Sequence, residues 1–364
     1  MVKITITTTL FLLLFCLFCP TKTTAQDTSK TLSITGYADV YFLYNFNKPI
    51  NNTQPSFLYC YNRNNEINLN LGFAKASYIA NKVRANLAFM AGTYTVANLA
   101  AEPAALRNIY EANIGIKLST KKNLWLDAGI LPSHIGFESA IGKDCYNLSR
   151  SILAENTPYY EAGIKLGYTS KNEKLFLSAL LLNGWQRIRR PDGNTTPAFG
   201  TQVTYKPSTT VTLNSSTFIG NDKPDSVRQM RYFHNFFGIF QLSKKLSLIT
   251  GLDIGAEQKS KANSGLNTWY SPVLIARYVA TNKVTLAARA EYYSDKNGVI
   301  IFTGTTNGFK TFGYSANIDF AIHENAVWRI ELRTLKSKDN IFERRNSLFS
   351  STSTWISSII AISF

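Results

Sequence analysis

Arg329, Glu331 and Arg333 stand at alternate positions of one stretch, and Arg289 and Glu291 repeat the arrangement earlier in the chain. A period of two is that of a β-strand, so each set projects from a single face. Charges of both signs along one face can pair and stiffen a wall. They can also set the potential of a wet passage and so choose which ions enter it. Asp39, Arg84, Glu111, Lys117, Asp127, Glu161, Lys165, Asp253, Glu257 and Arg277 alternate with apolar residues in the same way and are assigned to the same polar face.

Other chemistries find less support. The histidines are three, His134, His234 and His323. His134 lies near Ser133 and Ser139, but no acid partner or oxyanion donor can be placed beside them, so a Ser-His nucleophile is not expected. Scattered histidines and two distant cysteines give no metal-ligand spacing. There is no phosphate-cradling glycine motif between a strand and a helix. No catalytic residue, cofactor or metal is therefore assigned. Cys60 and Cys145 fall in loops of an exported chain, where a disulfide between them and two unpaired thiols both stand as readings.

The elements that must position the charges are strands. In residues 123–168, Leu124, Leu126, Ala128 and Ile130 alternate with Trp125, Asp127 and Gly129. Later in that stretch Tyr160, Ala162, Ile164, Leu166 and Tyr168 alternate with Glu161, Gly163, Lys165 and Gly167. Such half-apolar segments recur almost to the end. Short turns (119–123, 170–173, 206–209, 243–245, 281–283, 323–325) alternate with long loops (132–158, 187–197, 221–228, 259–267, 294–308, 337–350) around about 16 strands. That asymmetry predicts an all-β chain: a transmembrane antiparallel up-and-down barrel, with short periplasmic turns and long extracellular loops. Only 17% of residues are charged while 13% are aromatic, and after residue 30 no apolar run reaches the roughly 18 residues of a spanning helix. A soluble sandwich or lipocalin-like barrel also alternates, but a soluble barrel this wide would need its interior filled. Two segments are apolar on both faces, 175–182 and much of 230–242; lipid on one side and a folded-in loop on the other would explain them. Ile67, Leu69, Leu71 and Phe73 are assigned to lipid, as are Tyr110 and Ala112. Lys75 then falls on the lipid face near a turn, where its long side chain can reach the interface.

The ends carry compartment signals. Lys3, an apolar run from Leu10 to Phe18 and the small-residue exit at Ala25 read as a secretory signal peptide over 1–25, followed by a short periplasmic leader (26–31) and one barrel domain (32–364). So short a leader leaves no room for a plug domain, which argues against energy-coupled uptake. Removing Lys3 and Lys22 from the 39 basic residues leaves 37 against 23 acidic ones, a net +14. The chain closes on TWISSIIAISF, with Ile356, Ile360, Ile362 and Phe364 of one parity. A terminal aromatic after alternating apolar residues resembles the signal by which the barrel-assembly machinery recognises its clients.

ITGYADVYFLYNF at the start, DAGILPSHIGFES in the middle and NTPYYEAGIKLGY resemble the β-barrel porin-2 (OmpL-like) family of Bacteroidetes-type outer-membrane proteins. The likeness runs from Gly36 to Phe364. It implies an outer-membrane porin of a Gram-negative bacterium, and it transfers no catalytic or binding residues. The polar face would then line a lumen for passive diffusion of small hydrophilic solutes, mildly favouring anions. The loop at 132–158 either enters the lumen, with His134, Glu138, Lys143, Asp144 and Arg150 forming a constriction, or caps the surface. Expected partners are outer-membrane lipid, lipopolysaccharide phosphates, the barrel-assembly machinery and further copies of the chain, with no nucleic acid. The alternative is a non-conducting barrel serving as adhesin, receptor or assembly component.

Overall fold

The computed structural model describes residues 30–364; the expected signal peptide, with Cys16, Cys19 and its exit at Ala25, lies outside them. Strands β1 (Thr31–Asn45), β2 (Ile67–Ile79), β3 (Val83–Ala91), β4 (Ile109–Lys117), β5 (Asn123–Pro132), β6 (Tyr160–Thr169), β7 (Leu175–Leu182) and β8 (Ala198–Ser208) form the first half of the wall. The second half is β9 (Val211–Gly220), β10 (Arg231–Gln241), β11 (Leu246–Gln258), β12 (Leu266–Val279), β13 (Val284–Asp295), β14 (Phe309–His323) and β15 (Ala326–Ser337). After an outlying hairpin of β16 (Phe342–Arg344) and β17 (Leu348–Ser350), β18 (Thr352–Ser363) completes it. Every strand but the hairpin pair joins one closed antiparallel barrel, in chain order, with β18 returning to β1. Closure gives each backbone N–H and C=O a neighbour, the condition for crossing hydrocarbon with strands. Two short helices, α1 (Thr93–Asn98) and α2 (Ile152–Glu155), belong to the long loops.

The seam is finished by the last residue. Phe364 exchanges both backbone bonds with Gly36, at 2.7 and 3.0 Å. Its ring lies so close over Gly36 that a Cβ there would sit 2.2 Å from the Phe364 ring. A side chain at position 36 would push the ring off this seat.

The outer wall carries exposed apolar side chains: Ile34, Leu87 and Phe89 on one side, Leu274, Trp328, Leu332 and Ile360 on the other. Near the long-loop end Tyr270, Tyr292 and Phe312 touch in sequence, with centroids 5.9 and 4.4 Å apart. Near the short-turn end Phe320 stacks on Trp328 at 5.1 Å. Such bands suit the two membrane interfaces.

Two bulges correct the sequence reading. The β1–β2 register slips between Asp39 and Val40, so that Asp39 faces Leu71 while Val40 faces Leu69. The extra residue, Asn70, reverses every later face of β2. Leu71 and Phe73 turn inward, and so does Lys75, whose Nζ lies 2.5 Å from Glu111 rather than reaching for the interface. A second slip opposite Ala88 and Phe89 brings Tyr110 inward, where it stacks on Phe73 at 4.7 Å. Asp39 holds the first bulge, since its Oδ1 accepts the Leu71 N–H at 2.8 Å.

Candidate functional site: the lumen and its loop

The loop between β5 and β6, residues 133–159, runs inside the barrel. Ser133 N–H bonds Tyr159 O at 3.1 Å and pinches its base. From there it crosses the lumen, and each stretch meets inward side chains of a different strand. His134 O accepts from Ser216 Oγ on β9 at 2.7 Å, and Gly136 N–H reaches Asn235 on β10 at 3.3 Å. Phe137 packs edge-on against Phe237 at 5.6 Å. On the far wall Asn147 bonds Asn317 of β14 at 2.8 Å. Ile135, Leu148 and Ile152 fill the interior against Leu180, Leu182, Phe218 and Phe233, which explains why 175–182 and 230–242 are apolar on both faces.

The row singled out by its spacing grips this loop. Arg289 donates to Ser149 O (2.6 Å) and Arg333 to Arg150 O (2.9 Å). Glu331 accepts the Ser149 N–H (3.0 Å) and Glu291 the Ile152 N–H (2.6 Å). Arg329 donates to the carbonyls of Gly142 (2.6 Å) and Tyr146 (2.8 Å) and pairs with Asp319 (2.8 Å). A backbone in extended or turn conformation offers both donors and acceptors, so a wall of alternating sign satisfies both. The charges also neutralise one another: Glu291 Oε1 lies 2.7 Å from Arg333 and 3.2 Å from Arg289. Arg333 and Glu331 are each 1% exposed. Burial at that depth is tolerable only because every ion has both a counter-ion and a hydrogen bond.

The other expected loop residues divide in role. His134 Nδ1 meets Glu161 at 2.8 Å and its Nε2 meets Thr217 O at 2.8 Å. A carboxylate and a carbonyl both accept, so both ring nitrogens must donate and the ring is the imidazolium. Burial works against that charge, but the Glu161 carboxylate and the two bonds outweigh it and raise the pKa. The histidine is thus an anchor; Ser133 Oγ accepts from Ile135 N–H instead (3.1 Å). His234 does contact a serine, Ser215 at 2.8 Å, on the outward face of the wall. Buried Arg150 knits the loop to itself through Ser139 O (2.6 Å), Ala140 O (2.6 Å) and Leu148 O (2.8 Å). Glu138 accepts the Ser151 N–H (3.0 Å). Lys143 faces the short-turn end, and Asp144 is exposed.

On the opposite arc the charges pair across strands. Arg84 grips Asp127 with two bonds, 2.7 and 2.6 Å, and lies 4.3 Å from the Trp125 ring. Lys165 stands directly opposite Asp127 on β6. Lys117 is half-buried toward the turn. Asp253 accepts from Asn235 (2.6 Å), Glu257 holds Arg231 (2.7 Å), and Arg277 lies over Tyr146 at 5.4 Å. Cys60 and Cys145 are buried free thiols, Cys145 Sγ pointing at Ser139 O (3.5 Å), so the structure has the unpaired alternative. Among the described residues no His, Cys, Asp and Glu group has metal-site geometry.

The loop separates two chambers. The outer one, about 410 Å³, opens among the long loops and includes Tyr59, Glu155, Trp185, Arg187 and Arg231. The inner one, about 280 Å³, opens at the turns and includes Lys143, Arg277, Lys283 and Asp319. Arg187, Trp185 and Arg231 were missed by the sequence reading: the first two sit in an irregular loop without periodicity. Arg231 shares the inward parity of Phe233 and Asn235, a signal masked by the apolar run that follows.

A family model described as "Putative beta-barrel porin-2, OmpL-like" matches residues 31–364. No curated protein matches the sequence. The barrel is similar to the outer-membrane protein OmpT of Vibrio cholerae in its trimer form, at TM-score 0.60 and 9% identity over 92% of this chain and 100% of that one. An anion-selective porin from Comamonas acidovorans gives the same figures: TM-score 0.60, 9% identity, 92% and 100%. The outer membrane channel DcaP of Acinetobacter baumannii gives TM-score 0.59 at 8% identity, over 93% and 99%.

Proposed function

The chain belongs to the beta-barrel porin-2, OmpL-like family, and from that premise we propose that residues 133–159 are the constriction of its diffusion path. The protein is an outer-membrane porin for small hydrophilic solutes. The observation that carries the narrower reading is the position of this loop between two chambers, clamped to β13–β15. Passage then runs along β2–β6, where Lys75 and Arg84 retain side-chain exposures of 25% and 35%. The inner chamber presents Lys143, Arg277 and Lys283 beside Asp319 and Glu324, and this basic excess with the mature net charge supports a mild anion preference. Export by a signal ending at Ala25, recognition of Phe364 by the assembly machinery and lipopolysaccharide contacts at long-loop residues such as Arg344 and Arg345 complete the account. Self-association is proposed too, by likeness to the trimeric Vibrio barrel.

The near-complete burial of the β13–β15 charges favours a second reading, a closed barrel that binds without conducting. Single-channel recording of the refolded mature chain under a salt gradient separates the two. Stable open steps with an anion-side reversal potential are expected; cation preference would sink the selectivity, and a folded barrel without steps would establish the binding reading.

A further inference from the structure

We propose that the outer chamber is a binding site for a small solute that joins an oxyanion, a carboxylate or a phosphate monoester, to a ring-shaped or apolar body, with Arg187 as the anion anchor. The proposal rests on the porin reading only in that solutes arrive from this side.

A cavity of about 410 Å³ is the size of a small-molecule site. Its carboxylates are already engaged. The lining cations Arg231 and Lys223 are held from behind by Glu257, at 2.7 and 3.2 Å. Asp222 accepts the Trp185 N–H at 2.8 Å and faces Arg231 at 3.5 Å. Glu155 accepts the Tyr59 N–H (2.8 Å), and Glu102, behind the wall, accepts the Ile188 N–H (2.8 Å). Arg187 differs: its Nε is a buried donor with no hydrogen-bond partner. Asp222 is near enough to act on it electrostatically but directs its oxygens elsewhere. A guanidinium offers a planar fork that fits two oxygens of one anion.

The neighbours of Arg187 are fixed, so the fork is held ready. Trp185 is wedged edge-on between Phe218 (5.0 Å) and Phe233 (4.8 Å). Gln186 accepts the Tyr159 N–H (2.8 Å) and donates to Asn98 (3.1 Å). Gly184 lets this turn close: a Cβ there would lie 2.5 Å from Asp222 Oδ1 and 3.0 Å from Arg187 Cγ. Across the chamber Val299 and Ile300 form an apolar lip, their N–H groups tied to Asp295 at 2.9 and 2.7 Å. A rigid site with one unmatched cation and an apolar wall selects an amphiphilic anion over a neutral sugar.

The test is calorimetric titration of the folded barrel in detergent with glucuronate, glucose 6-phosphate and glucose. At least one anion should bind tenfold or more tightly than glucose, and which one does names the oxyanion. Arg187→Gln should erase that preference, and Arg187→Lys should retain part of it. Equal binding of all three sugars by the native chain overturns the proposal, whether or not the variants fold; so does an unchanged preference in Arg187→Gln. Detergent binding is read independently of conductance. A conducting barrel that fails here refutes the site alone, and a non-conducting barrel that binds refutes only the open path.

Discussion

On β13 and β15, Arg289, Glu291, Glu331 and Arg333 bind the backbone of residues 149–152. On β2–β5, Lys75 pairs with Glu111 and Arg84 with Asp127, each across one intervening strand. Residue types and spacing are alike in the two arcs; what differs is whether a segment remote in sequence lies over them. Covered charges are nearly dry and must be matched ion by ion, so they fix the loop. On the uncovered arc Glu111 and Asp127 are buried too, but their partners Lys75 and Arg84 keep 25% and 35% side-chain exposure, so the cations stay in reach of water. The comparison assigns anchoring to one arc of the wall and solute contact to the other.

The comparison can be broken by mutation. Glu291→Ala removes the anion shared by Arg289 and Arg333 and the acceptor of Ile152 N–H, and is expected to destabilise by roughly 3–5 kcal/mol. A fall in the temperature at which the folded band is lost on a gel checks this. A pH effect of about 3 kcal/mol should follow from Glu155, which lies outside the spanning strands. Burial pushes its carboxyl from 4.5 up to about 7, against the pull of the Tyr59 N–H and of Arg150 and Arg333. The folded state therefore holds that proton more tightly than the unfolded chain. This contribution is fully present below pH 4.5, is lost as pH rises toward about 7 and stays lost above it. Melting of the native barrel and of Glu155→Gln across that range should show the slope in the first and its loss in the second. Asp127→Asn, on the uncovered arc, removes a buried anion held by two Arg84 bonds, and should cost about 1–2 kcal/mol, less than Glu291→Ala because Arg84 keeps 35% side-chain exposure. Its effect belongs in the reversal potential, displaced further toward anions.

These contrasts also mark what the sequence could show. Strand number, loop asymmetry and the inward row Arg329, Glu331, Arg333 are legible because an unbroken strand keeps its period. Phe73 and Lys75 are misplaced because one extra residue in β2 inverts all later faces, and Tyr110 because it is itself the extra residue of the β3–β4 pair; nothing in INLNLGFAK announces the first bulge. The apolar inner faces of β7 and β10 hinted that something covers them. They could not say that the cover is 133–159, because its anchors are backbone groups bonded to side chains far along the chain. Arg187 was illegible for a simpler reason: an irregular loop has no period to read.

The central claim is that residues 133–159 lie in the lumen and narrow it. Its most direct test is the single-channel conductance of the chain with 138–152 deleted, beside the native barrel, once both run as folded species. The account predicts a severalfold larger conductance in the deletion, with noisier open levels as Arg289 and Arg333 lose their cover. A folded deletion that conducts like the native barrel would contradict it.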